Sequence, residues 1–219
     1  ITVNNALSVN GGTLNLSGYT CNIIGTAAVN NGGVLSVGNN SNLKMNNLST
    51  LNINKGGRLN AVADLGYNST ISRISSGYYS LNAQSGGTIA ARNCTFEYMD
   101  GYGVHLQDGS FVDPAHAFAG CTFQNGSSGG TLLTANNSQT MQVHNAIFPA
   151  NGWGGASNVR KDVNSGRVYF VDFDGPFSGE TYDNDGFNRV DWIPTLTASA
   201  SATPATICAG YTSQLNMAA

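Results

Sequence analysis

A Gly-Gly pair recurs along this chain at 11–12, 32–33, 56–57, 86–87 and 129–130, and the residues around it recur with it. Two positions after each pair stands an apolar residue: Leu14, Leu35, Leu59, Ile89 and Leu132. Two further on come Leu16, Val37, Ala61, Ala91 and Thr134. Alternation also leads into the pairs, as in ALSVNGG, LNINKGG and SLNAQSGG. Period-two alternation marks a strand with one buried face. Gly-Gly turns the chain sharply, because it accepts positive φ without a Cβ clash. A second repeat overlaps the first: Asn93-Cys94-Thr95-Phe96, Gly120-Cys121-Thr122-Phe123 and Asn145-Ala146-Ile147-Phe148.

Short strands and Gly/Asn corners repeating every 20–30 residues or so predict a solenoid. The LxxLxLxxN frame of leucine-rich repeats is absent, and a β-sandwich does not require corners at near-constant register. The expected fold is all-β, a right-handed parallel β-helix of roughly eight coils and about 40 Å. Inward side chains should then stack in ladders. Leu14, Leu35, Leu59, Ile89 and Leu132 are expected to form one, and Phe96, Phe123 and Phe148 another. Cys94 and Cys121 fall beside the second, as stacked buried thiols or as a disulfide. Cys21 and Cys208 stand far apart in the chain and would meet only across a junction between subunits.

Composition agrees. Only 10% of residues are charged, while Gly and Asn each number 28, which disfavours helices. Asn tolerates left-handed turns and can form amide ladders along stacked coils. A net charge of -3 argues against a nucleic-acid binder driven by phosphate contacts. No apolar run is long enough for a membrane-spanning helix, so no membrane insertion is expected. No basic-then-apolar leader opens the chain at Ile1, so a mature or excised segment is the natural reading.

Residues 1–192 are assigned to the β-helix, with a C-terminal cap at about 158–192 and Trp192 as its plug. Residues 193–219 are assigned to an extended tail. The first coils, to about residue 90, are short and nearly uncharged. From Asn93 they lengthen and gain acids, histidines and aromatics. Long coils on one side of a solenoid are where binding sits. The candidate contact residues are Tyr79, Tyr98, Tyr102, Phe111 and Trp153. Packing within the coils is the competing role for each.

Acid-base chemistry would have to come from EYMDGYGVHLQDGSFVDPAH, that is from Glu97, Asp100, His105, Asp108, Asp113 and His116. Asp100-Gly101 and Asp108-Gly109 are also ordinary turn pairs. The DxxD, DD, GHG and RxK motifs of polygalacturonases are absent. The histidines, with His144, lack HxH or HExxH spacing. Asp172 and Asp174, with Asp183 and Asp185, lie in the Gly-ended stretches DFDG and DNDG. These have the oxygen-rich look of calcium loops, though the EF-hand frame with its Glu is missing. Calcium binding and plain turn acids both fit.

The Gly-Gly coils, the NCTF-type rungs and the ending GRVYF…GETYDNDGFNRVDW together resemble right-handed β-helix regions of large surface proteins from Bacteroidota-like bacteria. The stretch ATPATICAGYTSQLNM, with Pro204, Ile207, Cys208, Gly210 and Leu215, resembles the opening of Ig-like or PKD-like modules. The resemblance implies a secreted or cell-surface location and a non-enzymatic stalk or adhesin-like segment. It carries no catalytic motif. It also implies further domains of the same chain, while a first rung with no evident cap and a tail that must dock on something point to a homo-oligomer. For self-association the tail residues Ile207, Cys208 and Leu215, or open end coils, are the candidates. The alternative is a carbohydrate-binding or carbohydrate-active β-helix protein.

Overall fold

The computed structural model describes residues 1–149 and 157–195, together with the backbone of the strands Ser199–Thr203 and Gln214–Ala218. The chain winds as a parallel β-solenoid with three faces. The first face stacks Thr2–Val3, Thr20–Ile23, Asn42–Met45, Ser69–Arg73, Cys94–Glu97 and Thr122–Gln124. Ile147 and Asp174 continue it as single bridges. The second face runs through eight strands, from Leu7–Val9 to Asp183–Asn184, which sets the number of coils. The third face stacks Gly12–Asn15, Gly33–Ser36, Arg58–Val62, Thr88–Arg92 and Phe111–Ala119. Beyond it, Met141–His144, Val168–Val171 and Val190–Ile193 form their own parallel run.

All pairings between coils are parallel, and through the first four coils they run residue on residue. Identical inward positions therefore stack. Leu35, Leu59 and Ile89 are fully buried in one ladder, with Leu14 partly buried at its first rung. Val112 supplies the next rung. Leu132 does not belong to this ladder: the Gly129-Gly130 corner feeds the second face, and Leu132 is buried just before its strand Leu133–Ala135. The expected ladder broke there because coil five carries the rung without a Gly-Gly pair.

The phenylalanine ladder is present. Phe96 and Phe123 stack at 5.5 Å, and Phe123 and Phe148 at 5.5 Å. Cys94 and Cys121 lie buried beside it as free thiols, as does Cys21 elsewhere in the core. Burial pushes the Cys94 thiol up to about 12. Outside, side-chain amides stitch neighbouring coils: Asn30 donates to Asn10 at 2.7 Å, and Asn54 to Asn30 at 2.6 Å.

The two glycines of a corner pair do different work. Gly32, Gly56 and Gly86 take left-handed φ of 73°, 73° and 76°. Gly33, Gly57 and Gly87 press against the coil before: a Cβ there would overlap the carbonyl oxygens of Val9, Val29 and Ile53. One glycine makes the bend, and the other lets adjacent backbones close to sheet spacing.

Residues 158–192 form the last two coils through Val159–Arg160, Val168–Val171, Asp183–Asn184 and Val190–Ile193. Trp192 stacks on Phe170 at 4.3 Å and meets Phe148 and Phe173 edge-on. In the tail, Ser199–Thr203 pairs antiparallel with Gln214–Ala218. Ile207 and Cys208 lie outside the described residues, and for Leu215 only its place on the second tail strand is described.

Gly57→Ala and Gly87→Ala should each cost about 2–4 kcal/mol in urea unfolding, through backbone overlap rather than φ. Gly66→Ala, whose Cβ would meet open space, should cost only about 1 kcal/mol from its left-handed φ. Phe123→Ala removes the middle of the aromatic stack and should cost about 3–5 kcal/mol.

Candidate functional site

The fifth coil breaks the register on two faces. On the second face Tyr79 pairs with Met99 and Leu81 with Val104, so Ser80 alone opposes Asp100–Gly103. On the third, Ile89 pairs with Val112 and Ala91 with Ala117, so Ala90 opposes Asp113–His116. The inward frame resumes after each insertion, since Val104, Leu106 and Ala117 are buried. The surplus residues therefore bulge from the rod.

The second-face bulge is held at every residue. Asp100 accepts a bond from the Ser80 hydroxyl, and its Oδ1 accepts from the Tyr102 amide at 3.0 Å. Thr134 donates to the Tyr102 carbonyl at 2.8 Å, and Thr131 to the Gly101 carbonyl at 3.3 Å. Gly103 has φ of 65° and lies so close to the Leu132 carbonyl that no Cβ fits. Tyr102 is 51% exposed, and its ring lies parallel to the His105 imidazole at 4.7 Å. His105 occupies the outward rung between Asn82 and Thr134, and Arg160 follows Thr134 on the next coil. Arg160 Nε donates to Asp162 at 2.7 Å, and Asp162 is also bonded by the Asn136 amide at 2.9 Å. Burial lowers the His105 pKa, against the pull of Asp100, so the imidazole is held toward its neutral form. Burial would raise Asp162, but its bonds from Asn136 and Arg160 prevail and hold it low.

The third-face bulge is tied by Arg58, which reaches from coil three across coil four to Asp113 at 2.5 Å. Asp113 also accepts from the Ala115 amide at 2.9 Å. The Arg58 bond holds this carboxyl below the usual range. The Gln139 side chain bonds both the amide and the carbonyl of Val112, at 2.8 and 2.7 Å, in place of a backbone rung. Phe111 stands 55% exposed at the start of this strand.

The aromatics expected to make contacts therefore separate. Tyr102 and Phe111 are exposed, on different faces. Tyr98 is half-buried at a tight corner with φ of 61°, and the Arg73 guanidinium covers its ring at 3.6 Å. Tyr79 is a core residue rather than a contact: it is fully buried, and its hydroxyl donates to the Ile71 carbonyl at 3.0 Å. It is the first residue of an alternating strand, and its position in the alternation turns it inward. Trp153 lies outside the described residues. Glu97 is held by Ser72 at 2.7 Å and Gln124 at 2.9 Å.

Of the four candidate calcium acids, the carboxylates of Asp174, Asp183 and Asp185 are engaged locally. Asp183 accepts from the Trp192 indole at 2.7 Å. Asp185 accepts from the backbone amides of Arg189 and Val190, closing the turn between them. Asp174 accepts from the Gly175 amide at 2.7 Å, and Asp172 takes a left-handed φ of 55°. Among the described residues no three His, Cys, Asp or Glu side chains gather around a common point. Lys161 escaped the sequence reading because nothing in KD marks it as internal. It is fully buried, donating to the Ala135 and Asn137 carbonyls at 2.9 and 3.0 Å, and burial pushes its pKa down to about 8. It fastens the corner of coil seven to coil six.

Burial, with help from nearby acids, raises Asp183 from 3.8 to about 6. Between those values the folded chain binds the proton more tightly than the unfolded chain, so stability falls as pH rises through about 6. Asp183→Asn keeps an acceptor for Trp192 and removes the charge. In urea unfolding it should exceed the parent by about 1 kcal/mol at about pH 8, with the gap closing by about pH 4. In comparison with known proteins, no family model matches this chain, and neither a curated protein nor a solved structure shows significant similarity to it.

Proposed function

We propose that this chain is a non-enzymatic, extracellular rod that displays a recognition surface on its fifth coil, in the manner of an adhesin or stalk segment. The observation that carries this reading is the use made of the acids around that coil. Asp100, Asp113, Glu97 and Asp162 each accept hydrogen bonds from side chains of other coils. Asp113 and Asp162 are held below the usual carboxylate range, whereas a general acid in glycoside cleavage needs a raised one. Asp100 and Asp113 stitch the bulges to the rod, Glu97 joins coils on the first face, and Asp162 joins coil seven to coil six. The result is a stiff scaffold with a pre-ordered protrusion, which favours binding by reducing the entropy lost on contact.

The test sets display against turnover. The full chain is incubated with a panel of plant, algal and bacterial polysaccharides, and both new reducing ends and unsaturated uronates are followed. No product should accumulate with any of them. Depolymerisation that Asp100→Asn or Glu97→Gln abolishes would replace this reading with the carbohydrate-active one.

A further inference from the structure

We propose that Tyr102 is a stacking platform for the apolar face of a neutral pyranose, with Asp100 beside it and the Arg160–Asp162 pair two rungs beyond His105 as hydrogen-bonding groups. This rests on the reading of the fifth coil as a recognition surface and names the ligand class for it.

The platform is built rather than incidental. An exposed aromatic on a loop normally samples many positions, and ordering it on contact costs binding energy. Here the bulge is fixed on both sides of the ring, through the Asp100 carboxylate and through Thr131 and Thr134 of the next coil. Its close approach to the Leu132 carbonyl is open only to Gly103. The ring itself is backed by the parallel imidazole of His105, with 9° between the planes. Support on one face leaves the other as the accessible one, which agrees with an exposure of 51%. A flat, rigid, half-exposed ring with a polar hydroxyl is a surface that an amphipathic ring can cover at little entropic cost.

The surroundings select the kind of ring. Carboxylates accept from hydroxyls and a guanidinium donates to them, so Asp100, Asp162 and Arg160 together offer both roles. Arg160 is already paired with Asp162 at 2.7 Å, so it is not free to neutralise an acidic sugar. Two nearby carboxylates would repel one. His105 is held toward its neutral form and adds no cation. A neutral hexopyranose fits this balance, and an uronate or sulfated sugar does not.

The experiment is an NMR titration of the full chain, following the His105 ring signals, with methyl glycosides and tetrasaccharides of glucose, galactose and mannose. Galacturonate oligomers serve as the acidic control. At least one neutral sugar should shift the His105 signals with millimolar affinity. Tyr102→Ala should weaken that binding tenfold or more, and Tyr102→Trp should retain it. A thermal melt of each variant checks that the solenoid is intact. The proposal is overturned if no neutral sugar moves the His105 signals, if Tyr102→Ala binds as the parent does, or if only the acidic control binds. Any of these without sugar cleavage leaves the display reading standing, whereas cleavage of a titrated sugar refutes that reading itself.

Discussion

Each coil can bury its apolar side chains only by lying in register on the coil before it. A shift of one residue would turn the inward set outward, so the register is held by the whole core at once. The same stacking satisfies the backbone, because parallel pairing runs along all three faces. The aromatic column extends this logic along the rod, from Phe96 through Phe123 and Phe148 to Phe170 and Trp192. Close approach at the corners is the condition for all of it, and Gly33, Gly57 and Gly87 meet that condition by having no Cβ.

Against so strict a frame, extra residues have one outlet. They cannot enter the core without breaking the ladders, so at coil five they leave the sheet and the frame closes behind them. The structure then spends cross-coil hydrogen bonds on holding those insertions still: Ser80 and Thr134 at one bulge, Arg58 and Gln139 at the other. A rod of repeating coils thus becomes a support for two fixed protrusions on different faces. The buried Lys161 shows the same economy inside, where an ammonium caps carbonyls that a turn left open.

How far the sequence could be read followed the periodicity. Where coils repeat faithfully, as at Leu35, Leu59 and Ile89, inward position and neighbour could be assigned from spacing alone. Leu132 was misassigned because the Gly-Gly signal reappears at a different corner after coil five has used another turn. Tyr79 looked like a contact residue because it sits where composition changes, but alternation puts it inside. The pairing of Tyr102 with His105, and the place of Arg160 two rungs beyond His105 on the same row, had no signal in linear spacing. Those residues meet through stacking of coils of unequal length.

The sequence by itself determined the solenoid, its approximate coil number, the phenylalanine column and the region where the coils depart from the frame. These follow from period-two alternation and glycine corners, which are local properties that repeat. Only the tertiary structure decided which face each insertion leaves from, which aromatics stay exposed, and which acids are tied to neighbouring coils. Those outcomes depend on register between residues some 20–55 positions apart, where a single inserted residue changes every later partner.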